Sequence, residues 1–62
     1  MSSEALDRAS GLLEQLEAKR AQLEQTEDPD AAVGLLAEIT ELAKEAHAQI
    51  EQARREADAA QS

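Results

Sequence analysis

His47 is the only imidazole in the 62-residue chain, and the carboxylates of Glu41 and Glu45 lie close to it along the sequence. Imidazole and carboxylate groups can together hold a transition metal, and a histidine can also change its charge near neutral pH. A metal site in a helical bundle uses the pattern Glu-x-x-His, which projects both ligands from one face. Lys44 occupies the glutamate position of that pattern, so the motif is absent. We interpret His47 as a partly exposed residue beside a helix interface, and we predict no metal ion or other cofactor.

Acidic side chains are the second candidate for chemistry, because Glu38, Glu41 and Glu45 follow one another at helical spacing. Two carboxylates perform acid–base catalysis only in a desolvated cleft that moves the pKa of one of them. Pairs such as Glu51 and Arg55 have the four-residue spacing that supports an exposed helix. No serine or threonine has a histidine placed to activate it as a nucleophile. We therefore expect solvated acidic faces and no catalytic residue.

Composition narrows the function further. The chain has 14 acidic and 6 basic side chains, a net charge of −8, and neither cysteine nor an aromatic residue. Nucleic-acid binding relies on clustered Lys and Arg or on stacking aromatics, and thiol catalysis, disulfides and zinc ribbons need cysteine. No apolar run approaches the ~18 residues of a membrane span, and the first residues lack a signal-peptide core. We expect a cytoplasmic protein that contacts neither nucleic acid nor membrane directly.

One proline divides the chain into two helical stretches. Asp28 is a favourable N-cap, Pro29 suits the first position of a helix, and Asp30 places negative charge at the positive end of the helix dipole. Ser3 offers a second N-cap. The sequence therefore predicts a single helical hairpin over residues 1–62, with helix one at about 3–25, a turn at 26–28 and helix two at about 29–60.

Hydrophobic spacing predicts how the two helices pair. Apolar residues recur at alternating intervals of three and four, at 6, 9, 13, 16 and 23 in the first stretch and at 36, 39, 43, 46, 50, 53, 57 and 60 in the second. This period indicates a helical seam. Folding about residue 28 pairs positions whose numbers sum to 59, so Leu23 faces Leu36 and Leu13 faces Ala46. The predicted fold is all-α, a two-helix antiparallel hairpin with heptad seams, with the last turn from Ala57 left beyond helix one.

The apolar face is wider than one seam. Leu12, Leu35 and Leu42 each precede a seam residue by one position, and Val33 adds to this flanking line. A face of this width belongs to a helical bundle, and a two-helix hairpin cannot cover it alone. We therefore expect association with another copy or another protein. The predicted interface residues are Leu12, Leu13, Leu16, Arg20, Leu23, Leu35, Leu36, Ile39, Leu42, Ala46 and Ile50.

Arg20 is the one polar residue at a predicted seam position. Placed opposite Ile39, it could bury its stem, pair with Glu38 or with a carboxylate of a partner, and fix the register or the choice of partner at a cost in stability. Alternatively, its stem lies along the hairpin edge and its guanidinium reaches solvent. The sequence leaves both interpretations open.

The second stretch, from Asp28-Pro29-Asp30 through Leu36, Glu41-Leu42-Ala43 and Ile50-Glu51-Gln52-Ala53, resembles the small subunit of bacterial exonuclease VII. The Leu-Glu-rich first stretch, Leu12-Leu13-Glu14-Gln15-Leu16-Glu17, resembles that family as well. The resemblance implies a helical hairpin that is a non-catalytic accessory subunit. Several copies would then bind the coiled-coil part of a large nuclease subunit that degrades single-stranded DNA, through apolar residues including Leu16, Leu36, Leu42 and Ile50. The alternative is a self-assembling structural hairpin, such as a homodimeric four-helix bundle, with no nuclease partner.

Overall fold

The chain folds as two antiparallel helices in the computed structural model, which describes residues 3–61. Helix α1 spans Glu4–Glu24 and helix α2 spans Pro29–Gln61, and the described part contains no strand. The hairpin extends 51 × 16 × 11 Å along its principal axes. The predicted all-α helical hairpin is confirmed. Residues 1, 2 and 62, which the predicted domain included, lie outside the described residues.

Side-chain caps begin both helices. The Ser3 hydroxyl accepts a hydrogen bond of 3.3 Å from the backbone N–H of Leu6, as an N-cap does. The Asp28 carboxylate accepts one of 3.1 Å from the N–H of Asp30, and the Asp28 carbonyl accepts one of 2.9 Å from Ala32. Both predicted N-caps are confirmed. They satisfy backbone donors that a helix leaves without a partner at its start.

Thr26 closes the other end of α1. Its backbone N–H donates to the Leu23 carbonyl at 3.1 Å, and its hydroxyl donates to the Gln22 carbonyl at 2.7 Å. Carbonyls at the end of a helix need partners of this kind. Thr26 supplies two such hydrogen-bond donors at the end of α1. Asp28, the N-cap of α2, follows two residues later.

The seam between the helices differs from the predicted one. Most residues with reduced exposure recur at intervals of four and three, at 5, 9, 12, 16, 19 and 23 in α1 and at 32, 35, 39, 42, 46, 49 and 53 in α2. Gly11 and Glu51 are also half-buried and lie outside this pattern. Pairing them in order places Ala5 level with Ala53 and Leu23 level with Leu35, so paired numbers sum to 58 rather than the predicted 59. The expectation that Leu12, Leu35 and Leu42 would stay uncovered is wrong, since all three lie in this seam.

The physical reason is that each helix carries three apolar lines. One line, which includes Leu16 and Ile39, lies in both the predicted and the observed seam. Two other lines can complete the seam. One consists of residues four positions before the first line, such as Leu12 and Leu35, and the other of residues three positions before it, such as Leu13 and Leu36. Sequence spacing permits both choices, because three and four residues are each close to one helical turn. The fold uses the first choice and leaves the second line outside.

The core between the helices is small. The most deeply buried side chains are alanines, with Ala5, Ala9 and Ala46 each no more than 3% exposed, and Leu35 is the most buried larger residue at 9%. Alanines can be buried this completely only where the two helices approach closely. Leucines pair in the half of the seam near the turn, and alanines dominate the open half. A core with so few large side chains gives a single hairpin little stability of its own.

Helix α2 extends past the start of α1. It contains 33 residues against 21 in α1, and every described residue after Ala53 is exposed. The predicted overhang from Ala57 therefore forms part of a longer exposed segment, Arg54–Gln61.

Glycine-to-alanine substitutions should stabilise the hairpin. A Cβ atom built at Gly11 or Gly34 meets no other atom within 4 Å, and neither glycine has a positive φ. Since glycine in a helix costs roughly 0.5–1 kcal/mol relative to alanine, Gly11→Ala and Gly34→Ala should each raise the free energy of unfolding by about that amount. Urea unfolding followed by circular dichroism measures the gain. A loss of stability in either variant would show that the site is more crowded than the structure indicates.

Candidate protein-binding face

Among residues 3–61, five large hydrophobic side chains are exposed. Leu6 is 52% exposed, Leu13 47%, Leu36 50%, Ile50 37% and Val33 66%. Leu6 and Leu13 are seven residues apart in α1, as are Leu36, Ala43 and Ile50 in α2. Residues at sevenfold spacing lie on one side of a packed helix. We call the line formed by Leu6, Leu13, Leu36, Ala43 and Ile50 the apolar stripe.

The two helices contribute to the apolar stripe on the same side of the hairpin. Each stripe residue follows one seam residue by one position and precedes another by three, as Leu13 follows Leu12 and precedes Leu16. Leu36 stands in the same relation to Leu35 and Ile39. In an antiparallel pair of right-handed helices, positions with this relation lie on one shared face. The stripe therefore forms a single surface along the hairpin.

The opposite broad face is polar. There the Arg8 guanidinium donates a hydrogen bond of 2.9 Å to the Gln49 side chain, and the Lys19 ammonium lies 3.2 Å from the Glu38 carboxylate. Both interactions join α1 to α2. A shallow groove of about 460 Å³ on this polar face is lined by Arg8, Gly11, Leu12, Gln15, Glu45, Ala48 and Gln49. Since polar side chains bridge the helices on this side and apolar ones stand free on the other, the hairpin has two chemically distinct faces.

The structure separates the predicted interface residues into three groups. Two are buried between α1 and α2, namely Leu35 and Ala46. Five are half-buried in the same seam, and these are Leu12, Leu16, Leu23, Ile39 and Leu42. The other four are exposed and available to a partner: Leu13, Arg20, Leu36 and Ile50.

Three residues that matter for the faces were not predicted as interface residues. Leu6 is the outermost large side chain of the apolar stripe, and Lys19 and Gln49 are half-buried polar residues of the seam. Placing Leu12 in the seam would have revealed the last two, because Lys19 lies seven residues after Leu12 and Gln49 lies seven after Leu42. The seven-residue spacing therefore indicates both positions. From the sequence alone, however, two polar residues on one line argue against placing that line in a seam.

Arg20 lies outside the seam, and its guanidinium is held by its own helix. Its Nε donates to both carboxylate oxygens of Glu17 at 3.0 Å, and its Nη1 contacts Glu24. Of the two interpretations, the structure confirms the exposed one and rules out pairing with Glu38. The hydrogen bond from Arg20 lowers the pKa of the Glu17 carboxyl, partial desolvation opposes this, and the arginine charge assists it. The two carboxylates in turn raise the pKa of Arg20.

The remaining chemical candidates are surface groups. His47 is exposed on α2. Glu41 pairs with Lys44 at 3.6 Å, and Glu51 pairs with Arg54 at 3.2 Å instead of with Arg55 as the spacing suggested. Among residues 3–61, no group of three His, Cys, Asp or Glu side chains is arranged to hold a metal ion. Neither described helix combines the length and the hydrophobicity that a bilayer crossing requires.

Comparison with known proteins finds no matching family model, no similar curated protein and no similar solved structure. The two faces of the hairpin therefore have to be interpreted from their own chemistry.

Replacing Lys19 tests the energetics of the seam. The Lys19–Glu38 ion pair is partly exposed, with side chains 38% and 54% accessible, and such pairs contribute about 0.2–1 kcal/mol. Leucine at position 19 would bury additional apolar surface beside Ile39. Complete burial of a leucine side chain contributes about 1.5–3 kcal/mol to stability. We expect Lys19→Leu to raise the midpoint of thermal unfolding by several degrees, with Arg55→Leu at an exposed position of α2 as control. A lower midpoint would mean that the Lys19–Glu38 pair contributes more to the free energy of unfolding than an exposed ion pair can provide.

The Arg20–Glu17 interaction predicts a pH dependence. Because the folded state lowers the pKa of Glu17, this pair stabilises the fold above the glutamate's unfolded pKa and ceases to do so as pH falls through the lowered value. Arg20→Met should return the pKa of Glu17 toward the ordinary glutamate value of about 4.3. Carboxyl NMR titration of both proteins measures the change. An unchanged Glu17 pKa in the variant would contradict the assigned cause.

Proposed function

We propose that this hairpin is a non-catalytic accessory subunit that packs on the helices of a larger protein through the apolar stripe. The observation that carries the proposal is the placement of Leu6, Leu13, Leu36 and Ile50 on one face while polar groups bridge the helices on the other. A contiguous apolar surface bordered by polar residues is typical of protein–protein interfaces. Binding by packing requires no catalytic group, and a cytoplasmic location is part of the proposal.

The small core supports the same function. The seam buries alanines more completely than leucines, so the hairpin gains limited free energy from its own folding. Burying the exposed halves of four large aliphatic side chains against another helix would add roughly 3–6 kcal/mol. A partner would therefore stabilise the hairpin as well as bind it.

The partner class is suggested by the resemblance to the exonuclease VII small subunit. We propose a large nuclease subunit of that type, which degrades single-stranded DNA and offers a coiled coil for the hairpin to pack against. The chain's net charge of −8 favours contact with protein over contact with the DNA substrate itself. In this role the hairpin stabilises or regulates the large subunit.

The second candidate function is a self-assembling structural hairpin, such as a homodimeric four-helix bundle without a nuclease partner. The continuity of the apolar stripe across both helices favours it, because a second hairpin offers the same length and width of apolar surface. The two functions differ in whether a large subunit changes activity when the hairpin is added.

The proposed function predicts that aspartate in the apolar stripe abolishes partner binding. Leu42, which was expected to act with Ile50, lies half-buried in the seam, so the variant should be Leu13→Asp combined with Ile50→Asp. We expect the dissociation constant for an exonuclease VII-type large subunit to rise by at least ~100-fold, because each charge would lose its hydration inside a packed interface. Calorimetric titration and single-strand degradation by the reconstituted complex measure this.

The matched control places the same charge on the polar face. Gln15→Asp combined with Ala48→Asp adds two carboxylates at exposed positions of the groove. Binding should persist in this variant, and circular dichroism should show that both double variants remain helical. If the stripe variant binds as well as the unchanged chain, or if the unchanged chain neither binds nor affects the large subunit, the proposed function is wrong.

A further inference from the structure

The apolar stripe lies on the part of the hairpin in which both helices run side by side. This part is as long as α1, about 32 Å for 21 residues, within a hairpin that extends 51 × 16 × 11 Å. A stable complex of standard size buries about 800 Å² on each partner, so a dimer through this face lies at the small end of interface sizes. A second copy of the chain carries a stripe of equal length and can cover this face.

Charge distinguishes the two edges that border the stripe. The outer edge of α1 carries Asp7, Glu14 and Glu17, with Arg20 held by its neighbouring carboxylates. The outer edge of α2 carries Lys44 and Arg54 together with His47, Glu51 and Asp58. The first edge is acidic, and the second is close to neutral with basic groups at its centre. A second copy that placed α1 over α1 would bring acidic edges together, whereas α1 over α2 joins opposite charges.

We propose that two copies cover the apolar stripe for each other, as an antiparallel four-helix bundle with its twofold axis parallel to the helices and α1 of each copy over α2 of the other. An axis in this direction introduces no shift along the helices, so the register of 58 found within one hairpin also relates the two copies. Leu6 then lies two residues, about 3 Å along the helices, from the level of Ile50 of the second copy, and Leu13 lies equally near the level of Ala43. Arg20 has the same offset from Leu36 of the second copy, at the end of the stripe near the turn.

The same register brings specific charges together at the edges. Glu14 becomes level with Lys44 of the second copy. Asp7 becomes level with Glu51 of the second copy and lies within one turn of Arg54, which pairs with Glu51 in its own helix. Within one hairpin, Lys44 makes an exposed contact of 3.6 Å with Glu41, so it can turn toward Glu14 at little cost. These pairs select one arrangement of the two hairpins, while the stripe supplies most of the attraction.

This inference rests on the proposed function for its biological meaning. The homodimer and the complex with a large subunit use the same Leu13 and Ile50 side chains, so they exclude each other. The free subunit would then be a dimer, and its binding to the large subunit would compete with self-association. The strength of binding would accordingly depend on the concentration of the hairpin itself.

Charge reversal tests the arrangement of the two copies. Sedimentation velocity of the full chain from micromolar to millimolar concentration should show a monomer–dimer equilibrium. Glu14→Lys and Lys44→Glu should each raise the dimer dissociation constant by roughly 3- to 30-fold, since two equivalent pairs per dimer are lost. The double variant carrying both changes should restore the original constant. Leu13→Asp should give a helical monomer, and Ile50→Asp provides the same test if Leu13→Asp unfolds.

The outcomes separate this inference from the proposed function. A chain that remains monomeric at millimolar concentration, or a double charge reversal that leaves the dimer as weak as the single variants, overturns the inference. A monomeric chain that still binds a large nuclease subunit through Leu13 and Ile50 overturns the dimer alone and leaves the proposed function intact. A dimer rescued by double reversal that never binds a large subunit supports the inference and removes the proposed function.

Discussion

The structure depends on how much apolar surface two helices can cover. A pair of helices buries about two positions in every seven on each partner, but this chain has apolar residues on three lines per helix. One line must therefore stay outside whenever the chain folds as a single hairpin. The burial of Leu12 and Leu35 in the seam leaves Leu13 and Leu36 exposed, and the two faces of the hairpin follow from that selection.

Selection of the seam also determines where polar groups lie. With Leu12 and Leu42 inside, Lys19 and Gln49 fall in the seam as well, and their heads turn toward the same broad face. Arg8 and Glu38 join them there and connect the helices. These contacts are partly exposed and contribute little free energy individually. They make one face polar, in contrast to the apolar stripe on the other.

The function that we propose for this arrangement is packing against another helical protein. Within the described residues the perturbed acid, Glu17, owes its lowered pKa to a neighbouring arginine on the helix surface, which is a structural ion pair and not a desolvated catalytic group. The most deeply buried residues are alanines, so the core contributes little free energy to folding. Covering the exposed apolar side chains would bury additional apolar surface. In the two proposals, a helical partner and a second copy compete for that surface.

The sequence by itself determined the hairpin and its ends. Asp28-Pro29 breaks the chain at one place because proline disfavours a helical conformation at the residue before it, and Ser3 and Asp28 act as N-caps through hydrogen bonds to nearby backbone groups. These interactions are local, so residue type and spacing are sufficient to predict them. Only the tertiary structure decided that Leu12 faces inward and Leu13 outward. The two residues are chemically identical and adjacent, and their difference arises from packing against α2, where a register of 58 instead of 59 exchanges the two lines.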